Sequence, residues 1–359
     1  MSLRKILGCL ILLIGLATLG SVTMQSLGVE VLRVEAAQPV NQSDAREVTR
    51  QEQPIQQEAI TQAWHDWMAK HDVTKSSIAV GQNDQIAFSH GVKRSPDRAY
   101  PMASLSKAIT AICMNELLED SEFSWNSTVA EMESVFKSLR LTAALPMQSR
   151  SLVQFATHTS GLPKRLIYGK TSIRKQNLSS QSAMTRTALK EAANFGARGS
   201  YQYSNANYAI LGTLIGAMSG QYYADYCKAK VMEPAGAGGA AVAGRMSKAA
   251  GYGGWSVSVE DYARFAMHWF APERPWVRAP QDFAYDPSSG YGLGVGVRQG
   301  QFGTTLTHSG KWTHSDKNYP NIGSMFIVRP DGAVIVVNWD QSLPDEAYQD
   351  LQARLFAAF

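Results

Sequence analysis

Cysteine is scarce in this chain. Cys9, Cys113 and Cys227 are the only three among 359 residues, too few for a disulfide-stapled scaffold or a thiolate metal cluster. Cys113 and Cys227 fall in apolar helical surroundings and read as buried free thiols. Charge of one sign is lacking as well: 34 Lys and Arg against 30 Asp and Glu leave a net +4, too mild a surplus to argue for a nucleic-acid partner. The seven histidines contain no H-E-x-x-H pair, and His308 with His314 has no third ligand at suitable spacing, so neither a metal nor another cofactor is expected. Internal repeats are absent and low-complexity runs are few. What remains, with 45% of residues hydrophobic, is a globular chain able to bury a large core in one big domain or two intimate ones.

The N-terminus carries Arg4 and Lys5 ahead of an apolar stretch from Ile6 to Leu19, with no charge before Glu30, the pattern of an export signal. Val34-Glu-Ala36 offers a small-residue cleavage site, while Ile6 to Val29 is also long enough to span a bilayer. Residues 1–37 therefore read as a signal peptide or a membrane anchor. Cys9 lies at the start of the apolar run and not just after it, which argues against a lipid anchor. Either fate places the body outside the cytoplasm, in the periplasm, secreted or held to the membrane through its N-terminus. Residues 38–56, rich in Gln, Asn, Ser and Glu, read as a solvated linker.

Residues 57–359 read as the folded domain. Ile60, Trp64, Trp67, Met68 and His71 share one helical face, and Ser77 to Gly81 with Gln85 to Ser89 flank a polar turn as a hairpin. From about 104 to 232 the signals are helical, at Ser104 to Leu118, Ser182 to Ala193, Asn205 to Met218 and Tyr222 to Val231. Strands return after Gly251, with a hairpin of Ser324 to Val328 and Ala333 to Asn338, and Asp345 to Phe359 closes the chain as an amphipathic helix. This order predicts an α+β fold: an antiparallel sheet flanked by its terminal helices with an inserted all-α region, and a cleft between the two parts.

A serine hydroxyl is a poor nucleophile until a base comes within hydrogen-bond reach, and a lysine one helical turn later meets that need. Ser104-Leu-Ser-Lys107 has the spacing, but so do Ser2 to Lys5, Ser134 to Lys137 and Ser172 to Lys175. Only Ser104 and Lys107 open a helix that stays apolar almost all round, through Ala108, Ile109, Ala111, Ile112 and Met114. Burial disfavours the ammonium and lowers a lysine toward the range of a base; the plainer reading is a lysine that snorkels from a packed helix. Tyr203-Ser204-Asn205 leads into a second helix, where a phenol could relay a proton and an amide could orient a carbonyl; the plainer reading makes Tyr203 a surface aromatic and Asn205 an N-cap. His308-Ser309-Gly310 follows a strand, where backbone N–H groups, those of Ser104 and Lys311, could hold an oxyanion. Tyr319-Pro-Asn321 repeats the Y-x-N spacing but lies out of order.

Three such elements, about a hundred residues apart each time, resemble the serine β-lactamase and penicillin-binding-protein-like family. Phe155-Ala-Thr-His-Thr-Ser-Gly-Leu162, Gly253-Gly-Trp-Ser256 and Tyr291-Gly-Leu-Gly294 reinforce the likeness, which runs from about Ala59 to the C-terminus. The Y-x-N and H-x-G elements are similar to the branch of class C β-lactamases, D,D-carboxypeptidases and esterases. The resemblance implies a β-lactamase/transpeptidase-like fold and an acyl-enzyme on Ser104, with Lys107 as base and Tyr203 as proton relay. Asn205 with His308, Ser309 and Gly310 then forms the substrate-facing wall, and His158 is structural. The implied substrate is a small molecule or peptide bearing an acyl group: a D-alanyl peptide, an ester or a β-lactam. A non-turnover peptidoglycan- or β-lactam-binding protein, and an acyltransferase to a non-water acceptor, remain open beside the hydrolase.

Two departures stand out. Class C β-lactamases usually carry a lysine where His308 stands, so this wall supplies less positive charge to a carboxylate. Pro234-Ala-Gly-Ala-Gly-Gly replaces the usual turn after the helical block and predicts a wider or more mobile cleft wall. Lys164, Arg165, Lys170, Arg174 and Lys175 form a basic stretch that reads either as a solvated face or as an attractor of an anionic envelope polymer.

Overall fold

The computed structural model describes residues 55–168, 171–172, 180–191, 194–242, 244–313 and 321–359. The export segment, most of the linker, Ser2 with Lys5, Lys170, Arg174, Lys175, His314 and Tyr319 lie outside them.

An eight-stranded antiparallel sheet organises the chain. Its strands in sequence are β1 (Ser76–Gln82), β2 (Gln85–Val92), β3 (Tyr285–Asp286), β4 (Tyr291–Gly292), β5 (Val295–Gly300), β6 (Gly303–Trp312), β7 (Ile322–Val328) and β8 (Val334–Trp339), in the spatial order β2-β1-β8-β7-β6-β5-β4-β3. The β1–β2 turn uses Asn83 and Asp84 at φ 53° and 59°, the left-handed conformation that these two residue types tolerate and that tight hairpins require.

Both faces of the sheet are covered, which is why its central strands read as unbroken apolar runs. Ile78, Val80, Met325, Ile327, Ile335 and Val337 face one side. There they pack on α1 (Gln57–Lys70) through Ile60, Trp64 and Trp67 and on α7 (Asp345–Ala358) through Leu351 and Leu355. Ala79, Phe326, Val328, Val334 and Val336 alternate to the opposite side and join the core of the helical block. That block contains α2 (Ser106–Glu119), α3 (Gln181–Lys190), α4 (Asn205–Ser219) and α5 (Tyr223–Cys227), with α6 (Val259–Trp269) between it and the sheet. The α+β architecture with a sheet between terminal helices and a helical insertion is the predicted one.

One expectation is overturned. Cys113 and Cys227 are not free thiols but a disulfide, with Cα atoms 5.4 Å apart across 114 residues of sequence. Each cysteine does lie in an apolar helix; what sequence could not supply is that α2 and α5 pack side by side.

Candidate active site

The turn that presents Ser104 is held from several sides. Ala103–Leu105 forms one 3-10 turn ahead of α2, and Ala103 adopts φ 48°, a left-handed backbone that costs a residue with a Cβ. The surroundings hold that strained bend. Met102 N–H donates to Trp255 O (2.9 Å), Ser324 Oγ donates to Met102 O (2.7 Å), and Tyr262 OH donates to Leu105 O (2.9 Å). Lys107 follows on the first turn of α2, fully buried. Of the other Ser-x-x-Lys runs, Ser134 and Lys137 are exposed on a short surface helix, with Lys137 paired to Glu133 at 3.0 Å.

Three oxygens surround Lys107 Nζ: Ser104 Oγ at 3.2 Å, Asn205 Oδ1 at 2.8 Å and Tyr252 O at 2.8 Å. Burial holds its pKa well below the usual lysine value, and no compensating anion acts on it among the described residues. Lys107 is therefore not a snorkelling lysine. Asn205 is the first residue of α4 and Ser204 its N-cap, without a side-chain cap bond, so the Asn205 amide is free to face Lys107 rather than cap the helix.

Tyr203 lies over the same amine, which sits 4.8 Å from its ring centroid, and its hydroxyl is near enough to Ser104 for the serine to act on its titration. Burial pushes this phenol above its usual pKa, and Ser104 opposes the shift. Both Tyr203 and Lys107 are thus driven toward their uncharged forms, which favours a neutral pair over an ammonium–phenolate pair.

The third element comes from β6. Its pairing with β5 ends at Thr307, opposite Gly296, so His308 to Trp312 lose their strand neighbour on that edge and turn it toward Ser104. Gly310 is required there: a Cβ would lie 2.5 Å from Met102 O and 3.0 Å from Ser104 N. Gly294 plays the matching part under α2, at φ 80° and with a would-be Cβ 2.5 Å from the Lys107 carbonyl. His308 Nδ1 donates to Ser309 O (2.7 Å), which fixes Nε2 as acceptor for Tyr291 OH (3.0 Å). Burial, to which an ammonium on Lys107 would add, pushes His308 down to about 3, so this wall is uncharged at neutral pH.

A cleft of about 560 Å³ opens over these groups, lined by Ser104, Tyr203, Asn205 and His308, with Lys164 and Lys311 at its border. Lys311 extends its amine to Asp345 (3.1 Å) on α7. Of the basic stretch, Lys164 reaches the cleft and Arg165 is exposed. Residues 234–239 are not among the residues that line this cleft: Gly236 and Gly239 lie against Arg264 and Asp261 of α6.

Sequence reasoning missed four contributors. Tyr252 acts through its backbone carbonyl, for which no side-chain pattern exists. Tyr291 was visible only as part of a glycine-bearing scaffold run, yet it holds the His308 ring. Asp345 and Gln352 of the terminal helix also line the cleft, which requires knowing that α7 passes beneath β6.

Known proteins share this fold. The family model described as Beta-lactamase matches residues 60–358. The fold is similar to that of a beta-lactamase/D-alanine carboxypeptidase from Pseudomonas syringae (TM-score 0.66, 14% identity, 84% of this chain and 98% of that one). It is also similar to the octameric penicillin-binding protein homologue from Pyrococcus abyssi (TM-score 0.63, 17% identity, 84% and 77%). Among curated sequences, Protein flp of Staphylococcus aureus (strain COL) is 25% identical over 183 residues, 47% of this chain and 36% of that protein, so the match spans about a third of the relative's length. The match across almost the whole described body, on a fold that assembles the three sequence elements in one cleft, shows that the chain belongs to the beta-lactamase family.

Proposed function

We propose that the protein is a serine hydrolase that forms an acyl-enzyme on Ser104 and hydrolyses an amide, ester or lactam. The observation that carries this reading is the environment of Lys107. A neutral amine has two N–H donors and one lone pair. Asn205 Oδ1 and Tyr252 O, each at 2.8 Å, take the donors, and the lone pair is left for Ser104 O–H at 3.2 Å. Lys107 then accepts the serine proton as Ser104 Oγ bonds to the substrate carbonyl carbon. The oxyanion is held by the backbone N–H groups of Ser104 and Lys311. Tyr203, beside Ser104 and over Lys107, passes the proton to the leaving group as its bond to carbon breaks. Water repeats the sequence on the ester, its proton leaving through the same pair, and frees the acid and Ser104.

The uncharged His308 disfavours substrates that depend on a strong cation at this wall, and favours neutral esters and amides over dianionic ones. The Cys113–Cys227 disulfide supports a location outside the cytoplasm, where such bonds persist; anchoring through residues 1–37 and attraction of an envelope polymer by Lys164 and Arg165 belong to the same proposal. Turnover of p-nitrophenyl acetate, a D-alanyl-D-alanine peptide and penicillin by wild type and Ser104→Ala tests it. Steady Ser104-dependent product from at least one substrate is expected. A stoichiometric adduct with no turnover of any of them would favour a binding protein.

A further inference from the structure

Behind Tyr203 lies a fully buried histidine that the chemistry above does not use. His158 adopts φ 61°, left-handed backbone for a residue with a Cβ. Its ring lies 4.3 Å from that of Tyr203, and 4.9 and 5.2 Å from Tyr291 and Tyr208, centroid to centroid. Nδ1 accepts two hydrogen bonds, from Ser204 N–H at 3.2 Å and from Asn207 Nδ2 at 3.0 Å. Ser160 Oγ donates to Asn207 Oδ1 at 2.6 Å, which fixes the amide with its nitrogen toward the imidazole. With two donors on Nδ1 the ring proton must sit on Nε2, and that atom is buried without a hydrogen-bond partner among the described residues. Burial, to which protonation of Lys107 or His308 would add, keeps the ring well below the usual histidine pKa. Leaving a buried N–H without a partner is costly, and the backbone strain adds to it. Such costs persist where something other than stability selects the residue.

We propose that His158 is a positioning residue for acylation: by accepting from Ser204 N–H it fixes the turn whose neighbouring residues, Tyr203 and Asn205, reach Ser104 and Lys107. Ser204 sits between the two functional side chains, and its hydroxyl is tied on the other side to Pro163 O at 2.7 Å. Release of the Ser204 N–H would let both side chains drift together, and a misplacement of about 1 Å can cost on the order of a hundredfold in rate. The role rests on the hydrolase reading for its assay, while the geometry stands without it.

Three variants separate acceptor from bulk. His158→Phe keeps a ring and removes the acceptor; His158→Asn keeps an acceptor near Nδ1 and tolerates the backbone. Asn207→Asp replaces the amide donor by a carboxylate, which calls for a proton on Nδ1 and favours the imidazolium. The titratable groups around the ring are Lys107, His308 and Tyr201, Tyr203, Tyr208 and Tyr291, and none of them is an anion at neutral pH. Each variant is checked for folding by circular dichroism and followed by fluorophosphonate labelling of Ser104 against probe concentration and pH. His158→Phe should lose about ten- to a hundredfold in limiting labelling rate with little change in half-saturating concentration, and His158→Asn should recover most of it. Asn207→Asp should gain an acid limb at higher pH than wild type. A folded His158→Phe that labels like wild type, or a His158→Asn as slow as His158→Phe, overturns the proposal. So does 15N NMR showing the His158 proton on Nδ1 in the wild type. A wild type unlabelled on Ser104 sinks the hydrolase reading itself, a result distinct from all of these.

Discussion

Replacing Lys107 by methionine should abolish acylation and alter stability in a pH-dependent way. Methionine matches the lysine stem in length and suits a fully buried site. It removes the proposed base for Ser104, a contribution of roughly 10²–10⁴ in rate, or about 2.7–5.4 kcal/mol at about 1.36 kcal/mol per tenfold. It also leaves Tyr252 O and Asn205 Oδ1 without a donor they now hold at 2.8 Å, at a cost of roughly 1–3 kcal/mol for a buried group. Against that loss stands a gain. The folded lysine has its pKa lowered by burial, so between that value and the ordinary lysine pKa of about 10.4 the unfolded chain binds one more proton than the folded one, and wild-type stability rises with pH. Methionine carries no such dependence. The stability of Lys107→Met relative to wild type should therefore be most favourable near pH 6 and fall steadily toward pH 10. Urea unfolding at several pH values measures this, and phosphonate labelling measures the rate. Parallel stability curves across that range, or a variant that labels as fast as wild type, would refute a buried neutral base.

Other outcomes follow from the same geometry. Tyr203→Phe keeps the ring against His158 and Lys107 but loses the hydroxyl beside Ser104; labelling should fall about a hundredfold or more while the thermal midpoint moves by only a few degrees. Gly310→Ala would press a Cβ to within 2.5 Å of Met102 O, so labelling should drop sharply and stability by about 1–3 kcal/mol, read by the same two assays. Removing the disulfide by Cys113→Ser with Cys227→Ser opens a loop across 114 residues and should cost up to about 5 kcal/mol in urea unfolding. Because His308 is pushed down to about 3, His308→Gln should leave the shape of the labelling profile between pH 5 and 8 unchanged; an inflection near 6.5 that the substitution erases would contradict the uncharged ring.

The residues proposed to carry chemistry were legible as a cluster because their constraints are local. Ser104 and Lys107 need one helical turn between them, and the apolar surround of α2 distinguished them from the exposed Ser134 and Lys137. The hairpins and terminal helices were legible because alternation and helical spacing follow from packing on two faces of one sheet. What escaped depends on distance in space. No pattern announces that α2 and α5 lie close enough for Cys113 and Cys227 to bond, or that the Tyr252 carbonyl faces a lysine 145 positions away in sequence. Pro234 to Gly239 illustrates the same limit: its composition suggested a loose wall, but its place against α6 removes it from the cleft.

The central claim is that Ser104 is the nucleophile and that the groups around it activate it. Intact-mass spectrometry of the protein after brief exposure to a fluorophosphonate, for wild type and Ser104→Ala, tests this most directly. The expected result is one phosphonyl adduct on the wild type, mapped by peptide sequencing to Ser104, and none on the variant. No adduct on the wild type, or an equal adduct on Ser104→Ala, would contradict it.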